Sequence, residues 1–146
     1  MIKISKMADY AVVILSEMSA DPERVSSAAA ISTTTSLPEP TVSKILKILA
    51  GADLVVSIRG AGGGYKLDRG AKDITVLDII TGIDGPVALV NCADPSQAAC
   101  RLRETCCMLG RWDGVNAAVR DVLAEVTLTD MMWKSDVCVD FVNEGS

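Results

Sequence analysis

The segment from Pro38 to Gly51 carries two opposed stripes. Val42, Ile45, Leu46 and Leu49 recur at helical spacing on one side, and Pro40, Ser43, Lys44 and Lys47 recur at the same spacing on the other. A helix with this pattern buries one face against a scaffold and turns a small, hydroxylic, basic face outward. Proline in the first turn fixes its start, and Gly51 is placed to end it. The next residues narrow the fold further. Leu54 to Ile58 is β-rich, Arg59-Gly60-Ala61-Gly62-Gly63-Gly64 is a glycine loop, and Tyr65-Lys66-Leu67 resumes the β pattern, which together read as a hairpin.

Upstream, Met7, Ala11, Ile14, Leu15 and Met18 line one face of a helix over 6–18 that Asp21-Pro22 ends. Val25 to Ile31 reads as a short alanine-rich helix capped by Ser26 or Ser27, and Ser32 to Ser36 as a turn, because hydroxyl side chains compete with helical backbone bonding. The order helix, helix, turn, helix, hairpin predicts a mainly α fold with a small β-hairpin wing, a winged helix-turn-helix. A further helix from Thr75 to Ile83 has a T-x-x-D cap at Thr75 and Asp78 and is broken by Gly82, Gly85 and Pro86. It completes a DNA-binding domain over 1–84. Residues 85–111 form an irregular cysteine-bearing loop. Asp113 is placed to cap a long helix reaching about Val126, in which Val115, Val119, Val122 and Val126 make a heptad seam that wants a partner helix. Residues 112–130 are therefore the predicted dimerisation helix. The tail, 131–146, alternates Val137, Val139 and Phe141 and reads as a loose strand or a disordered end.

Composition excludes several functions. The 146 residues contain no histidine, which removes Ser-His, Cys-His and His-metal mechanisms together. No acid–base pair with a placed nucleophile is visible, so the chain is predicted not to be an enzyme. No apolar run is long enough to span a membrane, and no export signal follows the first residues, which predicts a cytoplasmic protein in a reducing compartment. The net charge of −5 looks wrong for a nucleic-acid binder until its distribution is considered. The first 73 residues carry 9 Lys/Arg against 8 Asp/Glu, and the last 73 carry 5 against 11. The first half thus keeps room for a basic face, while phosphates would repel the second.

That face is predicted on the striped helix, where Thr41, Ser43, Lys44 and Lys47 can meet base edges or phosphates in a major groove. In the wing, Arg59 at the base and Gly62 and Gly63 at a thin tip suit a narrow minor groove or a phosphate clamp. A phosphate-cradling nucleotide loop is disfavoured, because no Gly-Lys-Ser/Thr follows and the loop leads into a strand. Cys92, Cys100 and Cys106 are separated by seven and five residues, with Cys107 adjacent to the last and Cys138 isolated in the tail. Zinc knuckles use closer pairs. Wide, uneven spacing in one loop suits thiolates around an iron–sulfur cluster, with Cys107, a carboxylate or a small molecule at the remaining iron position. Because adjacent residues rarely both face one cluster, Cys107 ranks below a carboxylate.

Taken together, these residues resemble the IscR/NsrR/RirA family of bacterial iron–sulfur transcription regulators, from Met1 to about Met132. Val55-Val56-Ser57-Ile58-Arg59-Gly60-Ala61-Gly62-Gly63-Gly64-Tyr65 is similar to that family's wing nearly letter for letter. Lys3-Ile4-Ser5-Lys6-Met7-Ala8-Asp9-Tyr10-Ala11 is similar to its first helix, and Asp9 to Val13 looks most like the branch that regulates the SUF iron–sulfur assembly genes. The resemblance implies a homodimer on a double-stranded DNA operator, with the long helices packed against each other. It implies cluster ligands at Cys92, Cys100 and Cys106. Asp9 occupies the position that supplies the fourth ligand, from the other subunit, in the nitric-oxide-sensing branch. Leu109 stands where the histidine-ligated branch has its histidine, so that 2Fe–2S form is excluded as written. A 4Fe–4S cluster held by Asp9 or an exchangeable ligand is preferred, with 2Fe–2S as the alternative. Pro40 and Ser43 depart from the histidine-ligated member, so its operator does not carry over.

The function expected is that of a repressor of iron–sulfur assembly genes that senses cluster, iron or redox status. Two other classes are weighed against it. One is a winged-helix regulator whose thiols sense oxidants without a cluster, and the other is an iron–sulfur carrier that binds no DNA.

Overall fold

A computed structural model describes residues 3–95, 97–98 and 100–132. The alternating residues of the tail and Cys138 lie outside them. Helix α1 (Lys6–Ser19) starts at Ser5, whose Oγ accepts the Ala8 N–H and so satisfies one of the first-turn donors. It buries Ala8, Ala11, Ile14, Leu15 and Met18. Helix α2 (Ala28–Thr35) is capped by Ser27 and runs further than its hydroxyl content predicts. The hydroxyls of Thr33, Thr34 and Thr35 donate to the carbonyls of Ala29, Ala30 and Ile31, four residues back, at 2.7–3.0 Å. They therefore bond back onto the helix's own carbonyls instead of diverting its backbone into a turn. The chain turns only at Ser36, which takes a left-handed φ of 61°.

Helix α3 (Glu39–Gly51) keeps the two predicted stripes. Val42, Ile45, Leu46 and Leu49 are fully buried, and Pro40, Lys44 and Lys47 are exposed. Strands β1 (Val55–Ile58) and β2 (Gly64–Leu67) pair antiparallel, with Val55 opposite Leu67 and Ile58 opposite Gly64. The residues just before α2 are extended, not helical, because Ser26 pairs with Tyr65 and adds a short third rung to the hairpin.

A 3₁₀ turn (Ala71–Asp73) leads to α4 (Val76–Asp84), whose Thr75–Asp78 capping box is present in full. Gly82 does not break this helix. A Cβ there would lie 2.9 Å from the Cβ of Ala52, so its lack of a side chain lets α4 approach the end of α3. After the cysteine loop comes α5 (Asp113–Glu125). Trp112 occupies its cap position without a side-chain bond, and Asp113 is the first helical residue, where its charge still complements the helix dipole. A last short helix, α6 (Leu128–Met131), was not evident from periodicity. Its start is tied to that of α4 by a bridge between Thr75 and Thr127, in which the Leu128 N–H donates to the Ile74 carbonyl at 2.7 Å and the Val76 N–H to Val126 at 2.9 Å. Leu128 is thereby buried in the same core as Ile14, Ile45, Leu49 and Ile79.

Candidate nucleic-acid interface and thiol loop

The buried stripe of α3 orients its other side. With four side chains locked in the core, Lys44 and Lys47 must project into solvent, and Thr41 and Ser43 sit half-buried beside them. Neither lysine forms an ion pair among the described residues. The wing is built as tightly as a hairpin tip allows. The Gly63 N–H donates to the Gly60 carbonyl at 2.9 Å, and Gly60 takes a φ of +111° that favours glycine. A Cβ on Gly63 would fall 2.4 Å from the Ile58 carbonyl oxygen, while Gly62 faces open space. Arg59 is exposed at the root of this tip, without an ion pair among the described residues. The other wing cation is engaged, since the Lys66 Nζ lies 3.3 Å from a carboxylate oxygen of Glu23. Glu23 as its partner was not evident from the sequence, because the two residues lie 43 apart.

The cysteine loop begins in a 3₁₀ turn (Asn91–Ala93). Cys92 and Cys100 line one depression of about 200 Å³ together with Asp94 and Arg103. Cys106 and Cys107 do not line it. These four thiols are exposed and free of disulfides. Asp9 lies elsewhere in the protomer, on the exposed side of α1, where it lines a groove with Val13, Glu17 and the methionines 131 and 132. Among the described residues, no three Cys, Asp or Glu side chains meet as a metal-holding group. The loop is anchored to α5 by Asn116, the one buried residue of that helix. Its side chain accepts the Leu89 N–H at 3.0 Å and donates to the Val87 carbonyl at 3.1 Å. The heptad seam is open on this protomer, with Val115 48% and Val122 60% exposed. No helix among the described residues is long and apolar enough to cross a membrane.

A protein-family profile described as Rrf2, iron-dependent transcriptional regulator, matches residues 4–134. The chain is 33% identical over 135 residues to the HTH-type transcriptional regulator CymR of Bacillus subtilis, covering 92% of each protein. The solved structure of that protein, described as the global cysteine regulator of B. subtilis, superposes with a TM-score of 0.67 at 32% identity, over 90% of this chain and 97% of the other. The solved structure of T. potens IscR gives a TM-score of 0.63 at 30% identity, over 89% and 85% of the two chains.

Proposed function

Because the chain belongs to the Rrf2 family of iron-dependent transcriptional regulators, a DNA-binding family with the winged-helix fold seen here, we propose that it is a homodimeric cytoplasmic repressor. Its operator affinity would be set by an iron–sulfur cluster, and its targets would be iron–sulfur assembly genes. One observation carries the cluster reading. Two thiols separated by seven residues in sequence, Cys92 and Cys100, face one depression in the loop that joins the DNA-binding domain to the seam helix. The donor set fits such a group in kind: exposed, unpaired thiols and no histidine. Cys92, Cys100 and Cys106 would hold it, with Asp9 of a partner subunit at the fourth position. When bound, the cluster supplies iron centres that respond to oxygen, nitric oxide or iron supply.

This chain's own residues supply the linkage. Asn116 ties residues 87–89 to α5, and the Ser5 Oγ donates to Asp84 at 2.7 Å, joining the start of α1 to the end of α4. Ordering of the loop by its thiols would therefore act on the first turn of the seam helix, through Asn116, and, through Asp84, on α1, the helix that carries Asp9. On DNA, Lys44 and Lys47 would enter successive major grooves from the two subunits, about 34 Å apart. Thr41 and Ser43 would read beside them, and Arg59, with Gly62 and Gly63, would follow the flanking minor groove. A coupling of about 1–3 kcal/mol between loop ordering and recognition-helix placement suffices for regulation. Anaerobic purification should give a brown protein whose visible absorbance disappears in Cys92→Ala. Zinc without iron would overturn the cluster reading.

The four exposed thiols and the cysteine regulator CymR among the relatives favour a second reading, in which the loop senses oxidants directly. Thiol pairing by mass spectrometry, set against iron content, separates the two.

A further inference from the structure

The four described thiols divide into two pairs. Cys92 and Cys100 share a depression, whereas Cys106 and Cys107 lie outside it and next to each other in the chain. The second pair sits on a tight turn, closed by the Leu109 N–H donating to the Cys106 carbonyl at 3.3 Å, which puts Cys107 on its outer corner. Both thiols are exposed. Consecutive Cα atoms across a trans peptide are about 3.8 Å apart, and no peptide bond here is cis. A disulfide ordinarily needs about 4.4–6.8 Å between its Cα atoms. The pair is therefore poorly shaped to oxidise onto itself, and its two thiols stay available to a larger bridging atom. Soft thiolate ligands select soft centres.

We propose that Cys106 and Cys107 form a chelating dithiol site for a soft, thiophilic metal or metalloid centre, separate from the Cys92–Cys100 depression. With a trivalent organoarsenical, both S–H bonds break and two As–S bonds form. The arsenic-bound oxygen leaves as one molecule of water with the two protons, and no oxidation state changes. Because Cys106 is also a ligand in the cluster reading, the two occupancies exclude each other.

The test uses reduced, cluster-free full-length protein, so it can fail or succeed independently of the cluster reading. Phenylarsine oxide is added at one equivalent, followed by excess monothiol, which strips singly attached arsenic but not a chelate, and intact mass is recorded. In the C92S/C100S variant, one monothiol-resistant adduct is expected. In C92S/C100S/C107S none is expected, with the circular dichroism spectrum of both variants matching the parent. Loss of the resistant adduct in C92S/C100S, or its survival without Cys107, overturns the proposal.

Discussion

Ser26 and Tyr65 exchange two backbone hydrogen bonds, each of 2.8 Å, and this exchange fastens the wing to the segment that starts α2. The neighbouring Gly64 has no room for a side chain, since a Cβ would lie 2.5 Å from the Ser26 carbonyl oxygen and 2.7 Å from its carbon. The obstacle is backbone, which a rotamer change cannot relieve. Gly64→Ala is therefore expected to cost about 1–3 kcal/mol, the range of an overpacked site, and to weaken operator binding by detaching the wing. Thermal melts and gel shifts on the same preparation check this. A variant with unchanged melting and affinity would mean that the bridge does not set the wing's position.

The two wing cations should behave differently. Arg59 has no ion-pair partner among the described residues, whereas Lys66 is already held by Glu23. Arg59→Ala is expected to weaken operator binding by about 1–3 kcal/mol, or to reduce the salt slope by about one if the contact is to phosphate. The dimer and the melting temperature should not change. Lys66→Ala should do much less to DNA binding, because an exposed pair of this kind contributes only about 0–1 kcal/mol and its charge is not aimed at a ligand. Fluorescence anisotropy across a salt series measures both, and equal losses would contradict the assignment.

How much of this was legible in the sequence depended on how local each cause was. The stripes of α3, the Thr75–Asp78 box and the hairpin all arise from neighbours within a few residues, and each stands where its residues indicate. The hydroxyls at 33–35 were ambiguous because the same side chain can divert a helix or bond back into it. The length of α2 settled the choice in this chain. Helix α6 is only four residues long, too short for periodicity, although Thr127-x-x-Asp130 repeats the capping signature of α4 and offered a signal. Asn116 reads as a polar residue on a seam helix, and its burial is decided by the carbonyl of Val87 and the N–H of Leu89, nearly thirty residues away. Cysteine spacing marked the loop, but which thiols share a depression depends on the path of residues 92–107, which spacing does not encode.

The short α6 offers a test by pH. The Asp130 carboxylate accepts the Thr127 N–H at 2.9 Å and the Thr127 hydroxyl at 3.0 Å, and these bonds hold its pKa below the ordinary value of 3.8. A depressed carboxyl pKa favours the folded state above that ordinary value, and the benefit disappears as pH falls through the lowered one. The stability gap between the wild-type protein and Asp130→Asn should therefore be widest near neutrality and close in acid. Urea unfolding at several pH values measures it. Leu128→Ala, by contrast, should cost about 2–5 kcal/mol at any pH, because it empties a fully buried site.

The seam of α5 carries the prediction on assembly. Val122 is 60% exposed and Val115 48% on the same helix, while Asn116 faces inward to the loop. Apolar side chains at heptad spacing gain little from water and much from a matching helix. Val122→Glu places a charge in that seam without disturbing the core, so each protomer should keep its melting behaviour in dilute solution. Light scattering should show the wild-type chain as a dimer and the variant as a monomer. Operator affinity should fall steeply in the variant, because one recognition helix then binds where two acted together at fixed spacing. A variant that remains dimeric would place the interface on another face and would remove α5 from the route between the thiol loop and DNA.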